Sequence, residues 1–205
     1  QSWFPEYDPD ASDDYPLPKE DWVDMGLPSG TLWARSNVGA VEPQGRGLYF
    51  SWGNIQGHFW NGSAFADGYE FTQESYAATP GSAISTDIDN EHDAAREYLG
   101  EHWKIPTLEQ VNELIKNVIT EKINFGSVVC LRLVSKANYN FIILPLNGYG
   151  SGGGLSFENA RSYLWTSTVV NYSYNRTLNA NNGNQLSIAV LSRYSGCNIR
   201  PVYVP

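Results

Sequence analysis

Residues 107–119 read TLEQVNELIKNVI, and this stretch decides the fold class of the chain. Thr107 and Gln110 have the spacing of a capping box, in which each side chain accepts a hydrogen bond from the backbone of the other residue. Apolar residues then recur at spacings of three and four, which places them on one helical face. The members of this stripe are Leu108, Val111, Leu114, Ile115, Val118 and Ile119. The pattern predicts a helix over residues 107–119 with one buried face.

Strand-like runs follow this helix. They are residues 128–134, 141–144, 163–167, 186–191 and 199–204, and residues 31–35 and 48–53 upstream have the same character. A second helix is predicted over residues 90–99, with Asn90 as its capping residue and Gly100 as its stop. Residues 54–86 show no clear period and are predicted to form a long irregular segment with short elements. Two helices, long connections and no βα alternation predict an α+β domain with a twisted antiparallel sheet and long irregular loops.

Residues 1–20 differ from the rest of the chain. They contain four prolines and six acidic residues, a composition that favours an extended tether. They also contain Trp3, Phe4, Tyr7 and Tyr15, and four large aromatic side chains indicate that part of this arm docks. We therefore expect an N-terminal arm, residues 1–20, and a single domain, residues 21–205.

Charge and composition narrow the class of partner. The net charge of −9 and the lack of any basic run argue against nucleic acid and against anionic membrane surfaces. No apolar stretch is long enough to span a bilayer. The sequence opens at Gln1 without a signal, so an exported origin is an open expectation. Cys130 and Cys197 could form a disulfide or remain two buried thiols.

Residues 171–184 hold six asparagines and two tyrosines between two strand-like runs. We interpret them as a long loop, and loops of this length in compact domains are usually functional or disordered. Tyrosine offers a stiff amphipathic surface and asparagine adaptable hydrogen bonding, as in antibody paratopes. The predicted ligand-binding residues are Asn171, Tyr172, Tyr174, Asn175, Asn179, Asn181, Asn182, Asn184 and Tyr194. The glycine-rich residues 147–154 are predicted to be a flexible loop beside them.

Several short cassettes occur in a fixed order along residues 22–204. They are WVDMGLPSGTLWA (22–34), NVGA (37–40), YFSWG (49–53), DAA (93–95), WKIPT (103–107), LP (144–145), GY (148–149), YLWTS (163–167) and IRPV (199–202). In this order the chain resembles the bacterial family called the Fibrobacter succinogenes major paralogous domain. That family is similar to the C-type-lectin fold, to formylglycine-generating enzymes and to the variable proteins of diversity-generating retroelements.

The resemblance implies a C-type-lectin-like domain that is exported and held at a bacterial cell surface, with a lipid anchor upstream as one route. It implies that Trp33, Trp52, Trp103 and Trp165 are core aromatics. Arg200 is expected to fork onto a carboxylate or onto carbonyls inside the fold. In the retroelement-diversified relatives the variable positions lie just before the closing strand, the region that residues 171–184 and Tyr194 occupy. An ordinary polar loop is the alternative.

The function that these patterns favour is a non-catalytic binding domain for a protein or glycan ligand, without metal or cofactor. The first alternative is a structural, fimbria-associated surface subunit. The second is an enzyme descended from the formylglycine-generating scaffold, which would require Cys130 and Cys197 to lie together in a cleft. The acidic residues 87–93 resemble half of a calcium loop, but their more economical interpretation is an acidic helix cap.

Overall fold

The chain is represented by a computed structural model that describes residues 21–205. The predicted arm, residues 1–20, and its docking lie outside the described residues. Within residues 21–205 there are three α-helices, α1 (Gln73–Ala77), α2 (Ala94–Leu99) and α3 (Leu108–Asn117), and one 3-10 helix (Pro80–Ala83). The strands are β1 (Trp22–Asp24), β2 (Leu32–Ala34), β3 (Trp103–Lys104), β4 (Val118–Phe125), β5 (Val128–Ser135), β6 (Phe141–Pro145), β7 (Asn147–Ser151), β8 (Gly154–Glu158), β9 (Arg161–Trp165), β10 (Tyr174–Asn181), β11 (Gln185–Ser192) and β12 (Val202–Tyr203).

The strands of the described residues form three sheets. A four-stranded sheet has the order β1-β2-β12-β3, a five-stranded sheet β11-β10-β9-β7-β8, and a three-stranded sheet β4-β5-β6. Neighbouring strands are antiparallel, except that β7 and β9 share a parallel register at Gly148 and Ser162. The predicted mixed α+β class is confirmed, with the strands divided among three sheets.

Helix α3 begins where the sequence predicted and ends earlier. Thr107 and Gln110 form the capping box, and Val111 and Leu114 are buried. The helix ends at Asn117, and the next residues enter β4, so the helical prediction for Val118 and Ile119 was wrong. Ile119 is consequently 55% exposed and does not belong to a buried stripe. Periodicity alone could not locate this change because Val and Ile suit a strand as well as a helix.

Helix α2 also starts later than predicted. Its capping residue is Asp93 rather than Asn90, and the Asp93 carboxylate accepts hydrogen bonds from the backbone N–H groups of Ala95, Arg96 and Ile105. Burial raises the pKa of Asp93, although these donors oppose the shift. Helix α1 and the 3-10 helix lie inside residues 54–86, where the sequence predicted an irregular segment with short elements. The strand predicted over residues 48–53 is reduced to isolated bridges at Tyr49 and Phe50.

The five-stranded sheet is covered on both faces. Leu164 of β9 and Leu178 of β10 point into one hydrophobic cluster, together with residues of α3 and β5. Tyr163 and Trp165 point into a second cluster on the opposite face. Strand β10 lies between β9 and β11 in this sheet. Because a hydrophobic cluster covers each side of the sheet, both faces of β10 are buried along most of its length.

The cassette aromatics occupy the core as predicted. Trp33, Trp52, Trp103 and Trp165 are all buried. Arg200 is also buried, and its guanidinium donates to the Asn37 side-chain oxygen at 2.8 Å and to the Ile143 carbonyl at 2.7 Å. The expectation that Arg200 forks onto carbonyl groups inside the fold is therefore confirmed.

Residues 171–184 are not a long loop, and this prediction was wrong. Residues 174–181 form β10, and a tight turn leads directly into β11. Asn184 has φ of 64°, a left-handed conformation that asparagine tolerates better than most residues. Residues 147–154 are likewise not a flexible loop, because they contain β7 and the start of β8. In each segment only some of the residues that suggested a loop form a hairpin turn, namely Asn182 and Asn184 in one and Gly152 and Gly153 in the other.

Candidate functional site

The nine predicted binding residues fall into three groups along the β10–β11 hairpin. Asn171, Tyr172, Tyr174 and Tyr194 lie at its base, Asn175 and Asn179 lie inside β10, and Asn181, Asn182 and Asn184 lie at its turn. Eight residues of strand separate the base from the turn, which corresponds to about 25 Å. One small ligand therefore cannot contact both ends of the hairpin.

The two asparagines inside β10 do not belong to a binding surface, and their assignment is corrected. Asn175 is 0% exposed and Asn179 is 5% exposed. The Asn179 side-chain amide donates to the Ser162 carbonyl at 3.1 Å, and that of Asn175 donates to the Thr166 carbonyl at 3.4 Å. They are buried because the second hydrophobic cluster covers the side of the sheet on which they lie. Their amides therefore link β10 to β9 and to the residue that follows β9.

The asparagines at the turn are exposed or half-buried, but their polar groups largely shape the turn. The Asn181 side-chain oxygen accepts from the Gly183 N–H at 2.9 Å, and its amide donates to the Gln185 side chain. The Asn184 carbonyl accepts from the Thr120 hydroxyl at 2.8 Å and so attaches the turn to β4. Asn182 is exposed, and its backbone N–H donates to the Ala160 carbonyl. These contacts are those expected of turn residues.

The base of the hairpin contains a cavity of about 290 Å³, which we call the tyrosine pocket. Helix α1 and the 3-10 helix form one side, and the two strand ends form the other. The residues that line it are Gln73, Tyr76, Ala77, Ser82, Tyr172, Ser173, Tyr174, Ser192, Arg193 and Tyr194. All three tyrosines that the sequence predicted are among them. The structure therefore brings together Tyr172, Tyr174 and Tyr194.

Asn171 sets the position of the tyrosines instead of lining the pocket. Its side-chain oxygen accepts from the N–H groups of Ser173 and Tyr174, at 2.8 Å and 2.9 Å. This is an Asx turn, which an asparagine side chain forms readily. Tyr172 is 65% exposed and Tyr174 is 49% exposed at the mouth of the pocket.

Arg193 lies at the bottom of the tyrosine pocket and was missed in the sequence. It is 1% exposed, its guanidinium carbon lies 4.0 Å from the centre of the Trp52 ring, and its Nη1 donates to the Ile84 carbonyl at 2.7 Å. Its Nε and Nη2 have no hydrogen-bond partner of normal geometry within residues 21–205. Burial lowers the pKa of Arg193, and the phenols of Tyr76 and Tyr172 oppose that shift. An arginine directly after an apolar strand run was the available signal.

Trp52 and Tyr76 fix the floor of the pocket. The Trp52 N–H donates to the Arg193 carbonyl at 2.8 Å, and the indole Nε1 donates to the Thr166 carbonyl at 2.8 Å. The Tyr76 hydroxyl, from α1, donates to the Trp52 carbonyl at 2.9 Å. Burial raises the pKa of Tyr76 to about 12, and the nearby Arg193 guanidinium opposes this rise. The floor is therefore a fixed network in which Tyr76 stays protonated at neutral pH.

The other sites considered in the sequence have structural explanations. Cys130 and Cys197 are free and buried, and burial raises the pKa of Cys130 to about 12 and that of Cys197 well above its usual value. In the acidic segment, Asp89 accepts from the N–H groups of Glu91 and His92, and Asp93 caps α2. Across residues 21–205, no three His, Cys, Asp or Glu side chains are grouped to hold a metal ion. The longest described helix, α3, has ten residues, too few to cross a bilayer.

Comparisons with known proteins found no matching family model, no matching curated protein and no matching solved structure.

Proposed function

We propose that this protein is a non-catalytic, exported binding domain and that the tyrosine pocket is its ligand site. The supporting observation is that Tyr172, Tyr174 and Tyr194, chosen from sequence, line one cavity although Tyr194 lies twenty positions from Tyr174. Tyrosine rings supply contact area at low cost in conformational entropy, because the ring has two rotatable bonds. Of the nine predicted residues, the proposal keeps these three as contacts and Asn171 as the residue that positions them.

The rigidity of the scaffold supports binding at this position. The pocket lies where β10 begins and β11 ends, beside a sheet packed on both faces and above the Trp52 network. A preformed cavity of a few hundred cubic ångströms with a few convergent polar groups is the usual form of a small-ligand site. Ligand binding therefore costs the protein little conformational entropy.

The same proposal includes a specific fold family and a cellular location for the domain. The ordered cassettes support a C-type-lectin-like fold related to the Fibrobacter succinogenes major paralogous domain, with export to a bacterial cell surface and a lipid anchor upstream. Diversification by a retroelement would act on the exposed tyrosines and on the turn asparagines, because Asn175 and Asn179 are buried. A reverse transcriptase gene and a near-copy of the coding 3′ end beside the gene would test this part.

The test of the binding site is a double variant, Tyr172→Ala with Tyr174→Ala. Capture of ligands from an immobilised glycan array and an immobilised protein array should fall by about tenfold or more, because two exposed aromatic contacts are lost. The matched control is Phe59→Ala, which removes an exposed aromatic side chain, 58% accessible, that does not line the pocket. Unchanged capture by the double variant, with unfolding free energy preserved, would exclude this site.

One observation favours the structural alternative. Strand β11 is an edge of the five-stranded sheet, and Val190 on it is 56% exposed. An edge strand of eight residues can pair with a strand of another copy or of another envelope protein. Size-exclusion chromatography of the chain with and without residues 1–20 separates the two functions. Assembly that requires the arm, together with no ligand capture, would favour the structural subunit.

A further inference from the structure

The protein contacts the Arg193 guanidinium on one face and at one of its three nitrogens. Its face packs on Trp52 and its Nη1 donates to the Ile84 carbonyl. Nε and Nη2 lie on the opposite edge, and both are buried without a hydrogen-bond partner of normal geometry within residues 21–205, although the Tyr76 hydroxyl lies close enough to act on the guanidinium. Buried N–H donors without acceptors are costly and uncommon, and an unoccupied ligand site is one physical reason for them. Because Arg193 also lines the tyrosine pocket, its two remaining donors are available to an acceptor on a ligand.

The geometry of these two nitrogens selects the ligand group. Nε–H and Nη2–H point in parallel from one edge of the planar guanidinium, an arrangement that matches the two oxygens of a carboxylate. Among described residues, no Asp or Glu lines the pocket, although the whole chain has a net charge of −9. An anion would therefore meet one unpaired cation and no like charge inside the cavity. This combination favours a carboxylate.

The rest of the lining indicates what carries that carboxylate. A cavity of about 290 Å³ holds one ring-sized unit. Ser82, Ser173, Ser192 and Gln73 supply neutral donors and acceptors around it, and the tyrosines supply flat apolar faces with hydroxyl groups at their ends. A unit with an apolar ring face, several hydroxyl groups and one carboxylate satisfies all three features. An acidic sugar has this chemistry.

We propose that the tyrosine pocket binds an acidic sugar unit whose carboxylate accepts hydrogen bonds from Arg193 Nε and Nη2. This rests on the proposed function and names its ligand class. To reach Nε and Nη2 the sugar displaces Tyr172, whose ring packs over the guanidinium. Its ring centre lies 5.8 Å from the guanidinium carbon, and the side chain is 65% exposed, so it can rotate at little cost in packing.

The experiment compares two sugars that differ in the carboxylate. The full chain, ¹⁵N-labelled, is titrated with D-glucuronate and with D-glucose, and amide chemical shifts report affinity and location. Glucuronate should bind about tenfold tighter or better, since a charge-assisted bidentate pair is stronger than neutral hydrogen bonds. The shifts should occur at Tyr172, Ser173 and Arg193. Equal affinity of the two sugars, or shifts confined to another surface, would overturn the proposal.

A variant then tests the two parallel donors of Arg193. Arg193→Lys keeps the positive charge but loses the two parallel donors, so the ratio of glucuronate affinity to glucose affinity should fall by about tenfold. Unaltered glucuronate binding by folded Arg193→Lys would contradict the assigned pairing. If this variant does not fold, the ratio of glucuronate to glucose affinity in the natural chain decides the matter alone.

Two outcomes separate this inference from the proposed function. N-acetylaspartate carries carboxylates without a sugar ring, and binding as tight as that of glucuronate would overturn the sugar assignment. Capture of an uncharged ligand that is lost in the Tyr172→Ala, Tyr174→Ala double variant, with equal affinity for glucuronate and glucose, would overturn the role of Arg193. In that case the tyrosine pocket would remain a binding site.

Discussion

The base and the turn of the β10–β11 hairpin both contain asparagine but have different physical roles. The base has one asparagine and three tyrosines and the turn has three asparagines, and both were predicted to belong to one recognition surface. At the base, Asn171 orders Tyr172 and Tyr174 beside a cavity whose floor is held by Trp52. At the turn, Asn181 shapes the chain reversal and no described tyrosine is adjacent in sequence. The comparison teaches that the elements packed beneath a polar residue, more than its type, determine what it does.

Removal of the Trp52 ring from the floor of the tyrosine pocket should have the largest effect on stability. Trp52→Ala deletes a fully buried indole and should lower the free energy of unfolding by about 3–5 kcal/mol. It also removes the ring on which Arg193 stacks and the indole donor to the Thr166 carbonyl, while the Tyr76 hydroxyl keeps its backbone acceptor. Urea denaturation measures the loss, and Trp52→Phe is the matched control because it keeps a ring and loses the N–H donor. A loss below 1 kcal/mol in Trp52→Ala would show that the floor does not support the base.

A substitution in the middle of the hairpin should have the second largest effect on stability. Asn179→Ala leaves the Ser162 carbonyl without its side-chain donor inside the sheet, and this should cost about 1–3 kcal/mol of stability. Ligand capture by the folded protein should stay unchanged, since Asn179 lies away from the pocket lining. The measurement pairs urea denaturation with the glycan and protein arrays. Reduced ligand capture with unchanged stability would show that Asn179 belongs to the binding surface after all.

The Asx turn at the base should give a smaller loss of stability and a clear loss of binding. Asn171→Ala removes one acceptor used by two N–H groups, which should lower the unfolding free energy by about 0.5–1.5 kcal/mol. Tyr172 and Tyr174 then lose their fixed position, and capture should fall several-fold. Asn171→Asp retains the acceptor and is the control. Full capture by Asn171→Ala would mean that the tyrosines are positioned by other contacts.

The smallest effect is expected at the turn. Asn182→Ser changes an exposed side chain, so its unfolding free energy should differ by no more than about 0.5 kcal/mol. Capture should be unchanged, because the turn lies about 25 Å from the pocket. A marked drop in capture by this variant would reverse the contrast between the two ends and make the turn part of a larger interface.

Local signals in the sequence predicted the parts of the fold that depend on neighbours along the chain. The capping box of α3 and its first two buried residues are examples, because both follow from spacings of three and four. The buried tryptophans were also predicted correctly. Strand β10 was missed because Asn175 and Asn179 lack strand propensity, and their burial depends on hydrophobic clusters supplied by distant segments. Arg193 was missed for the same reason, since Trp52, Ile84 and Tyr76 precede it by more than one hundred positions.

The first and last strands of the described chain lie in one sheet, with β2 between β1 and β12, and the rings of Trp22 and Tyr203 stack at 6.1 Å. The backbones of residues 22 and 203 are therefore separated by two strand spacings, about 10 Å or slightly more. A host protein can accept this segment in a surface loop whose two flanking positions lie about that far apart. Such an insertion would carry the tyrosine pocket together with its supporting sheets.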